Sequence, residues 1–156
     1  MAAIITTLTV ALAMAGCNRK VIYTHYAHTP IEGWEASDTL LFAVGPIADD
    51  ALYHEVVGLR TCSRYPFKEL ILIVDQQVMP AGTLLSDTLR CRLTQEDGTP
   101  LTHGFNFYES SFPLRDVALQ QGDSLTIRIH HYMKRELLPG IADIGVSITR
   151  KVTAAK

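Results

Sequence analysis

The sequence predicts an all-β fold, a single antiparallel β-sandwich of jelly-roll or immunoglobulin-like type. Three observations carry this expectation. Apolar residues recur with a period of two, and a helical period of 3.6 is hard to find beyond the first residues. One run, residues 70–74, is apolar at every position, as in a strand inside a sheet. Turn-forming clusters separate the pieces, with no helical segment between them.

The elements follow in chain order. In SDTLLFAVG, Leu40, Phe42 and Val44 share a face. ELILIVDQQV is apolar on both faces from Leu70 to Val74, which predicts a central strand covered on both sides. In DTLRCRLT, Leu89, Cys91 and Leu93 point one way, and Arg90, Arg92 and Thr94 the other. In SLTIRIHHYM, Leu125, Ile127, Ile129, His131 and Met133 alternate with polar residues. In IADIGVSITRKV, Ile144, Val146 and Ile148 do the same. Turns are expected at residues 80–82, 96–98, 121–123 and 138–140, where Pro, Gly and Asp concentrate. The expected organisation is a signal peptide over 1–16, a modified Cys17 and tether over 17–37, and the sandwich over 38–152.

The N-terminus differs in composition from the rest. Residues 1–16 carry no charged side chain and end in Ala15-Gly16, the pattern of a secretory h-region and cleavage site. The run falls short of the roughly 20 apolar residues that span a bilayer. Met14-Ala15-Gly16-Cys17 resembles a bacterial lipobox, in which small residues precede a Cys that is lipidated and becomes the new N-terminus. An ordinary signal peptide with an incidental Cys is the alternative. Each buried CH₂ contributes about 0.8 kcal/mol, so a diacylated Cys17 anchors the domain without a spanning helix. The basic Asn18-Arg19-Lys20 favours a domain facing the periplasm.

Composition excludes several function classes. The 14 Lys and Arg residues are scattered against 16 Asp and Glu, so no basic stripe points to nucleic acid. Six histidines are present, but His25-x-x-His28 and the adjacent His130 and His131 lack a structural-zinc or zincin pattern. His131 reads as a hydrogen-bonded core residue. There is no G-x-S-x-G elbow, and Asp49-Asp50 and Glu96-Asp97 read as solvated loop charge. No catalytic residue, metal, cofactor or small-molecule substrate is expected.

Two connections combine aromatic and basic residues, a composition enriched at protein interfaces. One carries Arg60, Tyr65, Pro66 and Phe67; the other carries Arg135, Pro139, Gly140 and Ile141. These eight residues are the candidate partner-binding set, although Pro and Gly also shape turns and Ile141 could plug the sandwich end. Cys62 and Cys91 are either free thiols or a disulfide, and Cys91 lies on the apolar face of its strand.

HYMKRELLPGIADIGVSI, with LRTCSRYPFKELILIV and DTLLF in the same order behind a lipobox, resembles the gliding-motility lipoprotein GldH family of Bacteroidota. The resemblance runs from Cys17 to about Ile148. It implies a cell-envelope lipoprotein, held at the membrane through Cys17, that supports the gliding apparatus and type IX secretion through contacts with other envelope proteins. It carries no enzymatic chemistry. The competing readings are a lipid-anchored module binding glycan or another small ligand, for which the sequence offers Trp34 and a few Tyr residues as groove aromatics, and then a hydrolase.

Overall fold

Ten strands make up the computed structural model, which describes residues 20–151. They are β1 (Val21–His28), β2 (Trp34–Glu35), β3 (Leu40–Val44), β4 (Ala51–Thr61), β5 (Glu69–Met79), β6 (Thr83–Arg92), β7 (Tyr108–Leu119), β8 (Ser124–His131), β9 (Leu137–Leu138) and β10 (Ile141–Arg150). One sheet has the order β1-β10-β4-β7 and the other β3-β8-β5-β6, every pair antiparallel. Leaving the short β2-β9 ribbon aside, only β5 and β6 are both consecutive and hydrogen-bonded neighbours. All other connections cross between the sheets, which is the jelly-roll form of the sandwich.

Alternation explains the packing. On β8, Leu125, Ile127, Ile129 and His131 are buried and the residues between them are not. On β5 the buried series is Leu70, Leu72, Val74, Gln76 and Val78. On β10 Ile144, Val146 and Ile148 face the same core. The four expected turns fall between strands or within the β6–β7 connection, and Gly82, Gly98, Gly122 and Gly140 all adopt positive φ there. The outer face of β5 differs from expectation. Ile71 and Ile73 are half-buried, because no third layer covers this sheet.

Residues 21–28, expected as tether, form β1 and pair with β10 from Val21↔Thr149 to His28↔Asp143. The alternation is disguised there. Residue His25 lies against Phe42 at a ring separation of 6.0 Å, whereas the large Tyr26 lies on the outer face. Its ring rests over Gly145 and Gly58, the registered residues of β10 and β4, where added Cβ atoms would meet it at 2.5 and 2.3 Å. The Arg60 guanidinium covers the ring at 4.5 Å.

β4 and β7 were also unmarked in the sequence. Glu55 interrupts the inward series of β4, and its Oε2 accepts a 2.8 Å hydrogen bond from Gln76 Nε2 on the opposing sheet. Pro113 lies in β7 beside a bulge opposite Glu55 and Val56. β7 is an edge strand, where a missing N–H costs no ladder bond. The bulge shifts which side chains face inward, so no single alternation runs through the strand.

Candidate functional site

The two ends of the sandwich are built differently. At one end lie the start of β1, the end of β10 and the short connections 45–50, 80–82 and 120–123. Backbone bonds tie this end closed: Arg150 N to Lys20 O (2.9 Å), Gly122 N to Ile47 O (2.8 Å) and Ile47 N to Asp123 O (2.7 Å). Arg150 Nη1 also meets Asp49 Oδ2 at 3.0 Å. Because Lys20 is three residues after Cys17, this is the end from which an attached lipid would hang.

The opposite end gathers the connections 29–33, 62–68, 93–107 and 132–140, and here the two expected partner-binding connections meet. Cys62 N donates to Gly140 O at 2.8 Å. Gly140 has φ +83°, and a Cβ on it would stand 2.3 Å from Tyr65 N. Gly140 is therefore required by both conformation and space. Tyr65 and Phe67 stack edge to face at 5.7 Å against the core, and the Tyr65 hydroxyl donates to Glu69 O at 2.9 Å. Burial raises the Tyr65 phenol well above its usual range. Pro66 and Arg135 are exposed, whereas Ile141 is buried and paired with Thr61.

Arg60 makes contacts within the fold that its sequence context does not show. On the outer face it lies 3.7 Å from Asp143 and 3.6 Å from Glu109 while covering Tyr26. Asp143 is nearly buried between Arg60 and His28. The residue thus holds β1, β4, β7 and β10 together across their outer surface.

The β2-β9 ribbon closes the core at this end. Trp34 and Leu138 are paired in register and both fully buried. The indole donates to Asp38 O at 3.0 Å, and its ring meets His131 edge-on at 5.2 Å. His131 Nε2 lies 3.2 Å from Trp34 O, and burial pushes the imidazole below its ordinary pKa, so it is neutral at pH 7. His131 is thus a core residue. Trp34 is not available to stack on a ligand, which removes it from the aromatics expected for a glycan groove.

Of the exposed apolar residues of this end, the sequence singled out Tyr132, in the second aromatic-and-basic connection, and not the others. Phe105 is 108% exposed, Ile31 79% and Tyr132 69%, and Leu101, Phe107 and Leu137 are also exposed. The available signal was GFNFY, three aromatics beside a glycine outside the alternating segments. A cavity of about 210 Å³ opens nearby, with Cys62, Phe67, Pro100 and Tyr108 in its wall. Two wider ones open at the same end, of about 580 Å³ beside Arg92 and Leu101 and about 420 Å³ beside Ser37 and Leu137, within the ~300–1,000 Å³ usual for small-molecule sites.

Cys91 is buried and Cys62 half-buried, and both are free thiols, so the possible disulfide is not formed in this structure. Burial pushes the Cys91 thiol up to about 12, leaving it protonated and unreactive. His25 and His28 lie on opposite faces of β1, which prevents joint ligation. The His54–Asp116 pair, 2.7 Å apart, lies on the outer face near the Lys20 end with Lys151 beside it. Those two hydrogen bonds, led by Lys151, hold the Asp116 carboxyl below its usual range. Cys17 lies outside the described residues.

Fold and sequence together define a class: a small jelly-roll domain behind a lipoprotein-type N-terminus, with apolar side chains displayed on the loops of one end. The GldH lipoprotein family model matches residues 21–148, and the chain belongs to that family. Gliding motility lipoprotein GldH of Flavobacterium johnsoniae is 26% identical over 92% of this chain and 94% of its own length. A gliding motility lipoprotein GldH homolog of Christiangramia forsetii is 24% identical over 89% of this chain and 90% of its own. Part of a family GH115 4-O-methyl-α-glucuronidase superposes with a TM-score of 0.46 at 13% identity, covering 87% of this chain and 18% of that one, too distant to inform function. Family membership makes the chain a lipid-anchored protein of the cell envelope.

Proposed function

We propose that this protein is a non-catalytic tether for the gliding and secretion machinery. Lipid on Cys17 holds one end of the jelly roll at a membrane, facing the periplasm, and the loops of the other end bind a partner protein. One observation carries the reading. Ile31, Leu101, Phe105, Phe107 and Tyr132 are exposed on connections at the end remote from Lys20. Exposed aromatic side chains such as Phe105, Phe107 and Tyr132 are of the kind enriched at protein interfaces. Confinement to a membrane raises the effective concentration of the domain for partners held at the same surface.

The relatives' printed names support motility as the setting. Within the partner-binding set, Arg135 and Pro66 remain direct-contact candidates. Tyr65, Phe67, Pro139, Gly140 and Ile141 shape the surface from beneath, and Arg60 braces the sheet.

The test is recovery of envelope proteins on the tagged, full-length protein from cells of its host. Phe105→Ser combined with Phe107→Ser should lower recovery of its specific partner at least about tenfold, the scale of interface hot spots. Thermal stability should be unchanged. Equal recovery would remove the loop end from the interface.

A further inference from the structure

We propose that the β5–β6 hairpin is a second membrane contact, resting its uncharged tip on the lipid surface beside the anchor. The inference rests on lipid attachment at Cys17. Three residue steps separate Cys17 from Lys20, a reach of at most about 11 Å. The end of the sandwich holding Lys20 therefore lies close to the lipid headgroups.

The hairpin belongs to that end. Lys20 is bonded to Arg150, which contacts Asp49. A groove of about 590 Å³ runs between Ala51 and Leu119 on one side and Val78, Ala81 and Thr83 of the hairpin on the other. Its chemistry changes along the strand. The far half of β6 carries Asp87, Arg90 and Arg92, charges suited to an exposed sheet edge. Residues 76–86 carry none. Met79 is 44% exposed and Leu84 73%, with Pro80, Ala81 and Gly82 exposed between them.

A single exposed Leu needs no explanation. An uncharged hairpin that exposes Met79 and Leu84 on the two sides of an ordinary Pro80-Ala81-Gly82 turn, at the anchored end, does. The acidic side chains nearby are held within the protein, and one of them, Asp49, has its charge paired by Arg150. Asp50 accepts from Gln121 N at 2.7 Å, Asp123 from Gln120 N at 2.9 Å, and Asp49 is held by Arg150. Val21 and Leu52 add exposed apolar surface at the same end. A shallow contact of this kind orients the domain, which the flexible bonds of a lipid cannot do alone.

The experiment uses the full lipidated protein in vesicles of phosphatidylethanolamine and phosphatidylglycerol, with and without brominated acyl chains. Tryptophan is introduced as Leu84→Trp or, at the other end, Phe105→Trp, and the buried Trp34 provides the background. Flotation reads the anchoring; quenching reads the contact. The expected result is that all variants float, Leu84→Trp loses at least half of its added emission to bromine, and Phe105→Trp loses none. Flotation without quenching of Leu84→Trp overturns the hairpin contact and leaves the anchor standing. Equal quenching at both positions overturns the orientation. Failure to float overturns the anchor and this contact with it.

Discussion

The two ends of this jelly roll share one core but solve different problems. At the Lys20 end the connections are short and locked by backbone bonds and the Arg150–Asp49 pair. At the other end, residues 93–107 and 132–140 run in long excursions that display Phe105 and Tyr132 to water. Long surface connections carry recognition, whereas short ones serve a scaffold. The contrast implies a rigid base and an adaptable contact surface, with the strands as a fixed spacer. At about 3.4 Å per residue, the 11 residues of β4 separate the ends by roughly 35 Å.

The largest expected effect comes from removing what closes the loop end. Trp34→Ala takes away a fully buried side chain that meets His131 and covers the core beside Leu138, and should destabilise the domain by about 3–5 kcal/mol in denaturant unfolding. A loss below 1 kcal/mol would mean that the ribbon is not part of the core. Gly140→Ala follows. At φ +83° with Tyr65 N in the way, it should cost at least 1–3 kcal/mol and shift the amide signals of residues 62–67. Unchanged signals there would separate the two connections that the geometry joins.

Glu55 offers a smaller test at mid-height, where neither end dominates. Burial raises its pKa, against the opposing hydrogen bond from Gln76, and Glu55 Oε1 and Gln76 Oε1 have no partner. A carboxyl whose folded pKa is raised binds its proton more tightly in the folded state. Its stabilising contribution is then complete below the unfolded value near 4.5 and is lost as pH rises through the folded pKa. Glu55→Gln can pair both amides across the sheets, so it should gain about 1 kcal/mol at pH 7 and flatten the fall in stability above pH 4.5. A less stable variant at pH 7 would show that the charged carboxylate is the favoured form. The smallest effect is kinetic: Cys62 should react with a maleimide in the folded protein, and Cys91 only on unfolding. Simultaneous modification would contradict the burial of Cys91.

Legibility in the sequence followed the same division. β3, β5, β6, β8 and β10 were readable because most of their inward positions are apolar at a period of two, as at Leu125, Ile127 and Ile129. β1 was hidden by an inward His25 and by Tyr26, whose outer position makes sense only beside Gly58 and Gly145 of other strands. β4 was hidden by Glu55, whose partner Gln76 lies in the other sheet. The bulge and Pro113 hid β7.

Partner-binding candidates suffered in a similar way. Composition picked out Arg60 as a partner-binding candidate, and its contacts with Asp143, Glu109 and Tyr26 arise from register across four strands. Local sequence contains no such information. Phe105 and Phe107 were overlooked because an exposed aromatic in a loop leaves no periodic trace, and exposure is visible only once the core is assembled.

Site-specific photo-crosslinking in living cells tests the division of labour between the ends most directly. A photoreactive residue placed at position 105 should yield a discrete protein adduct, and the same residue at position 84 should yield none. A protein adduct at position 84 with none at position 105 would contradict the account.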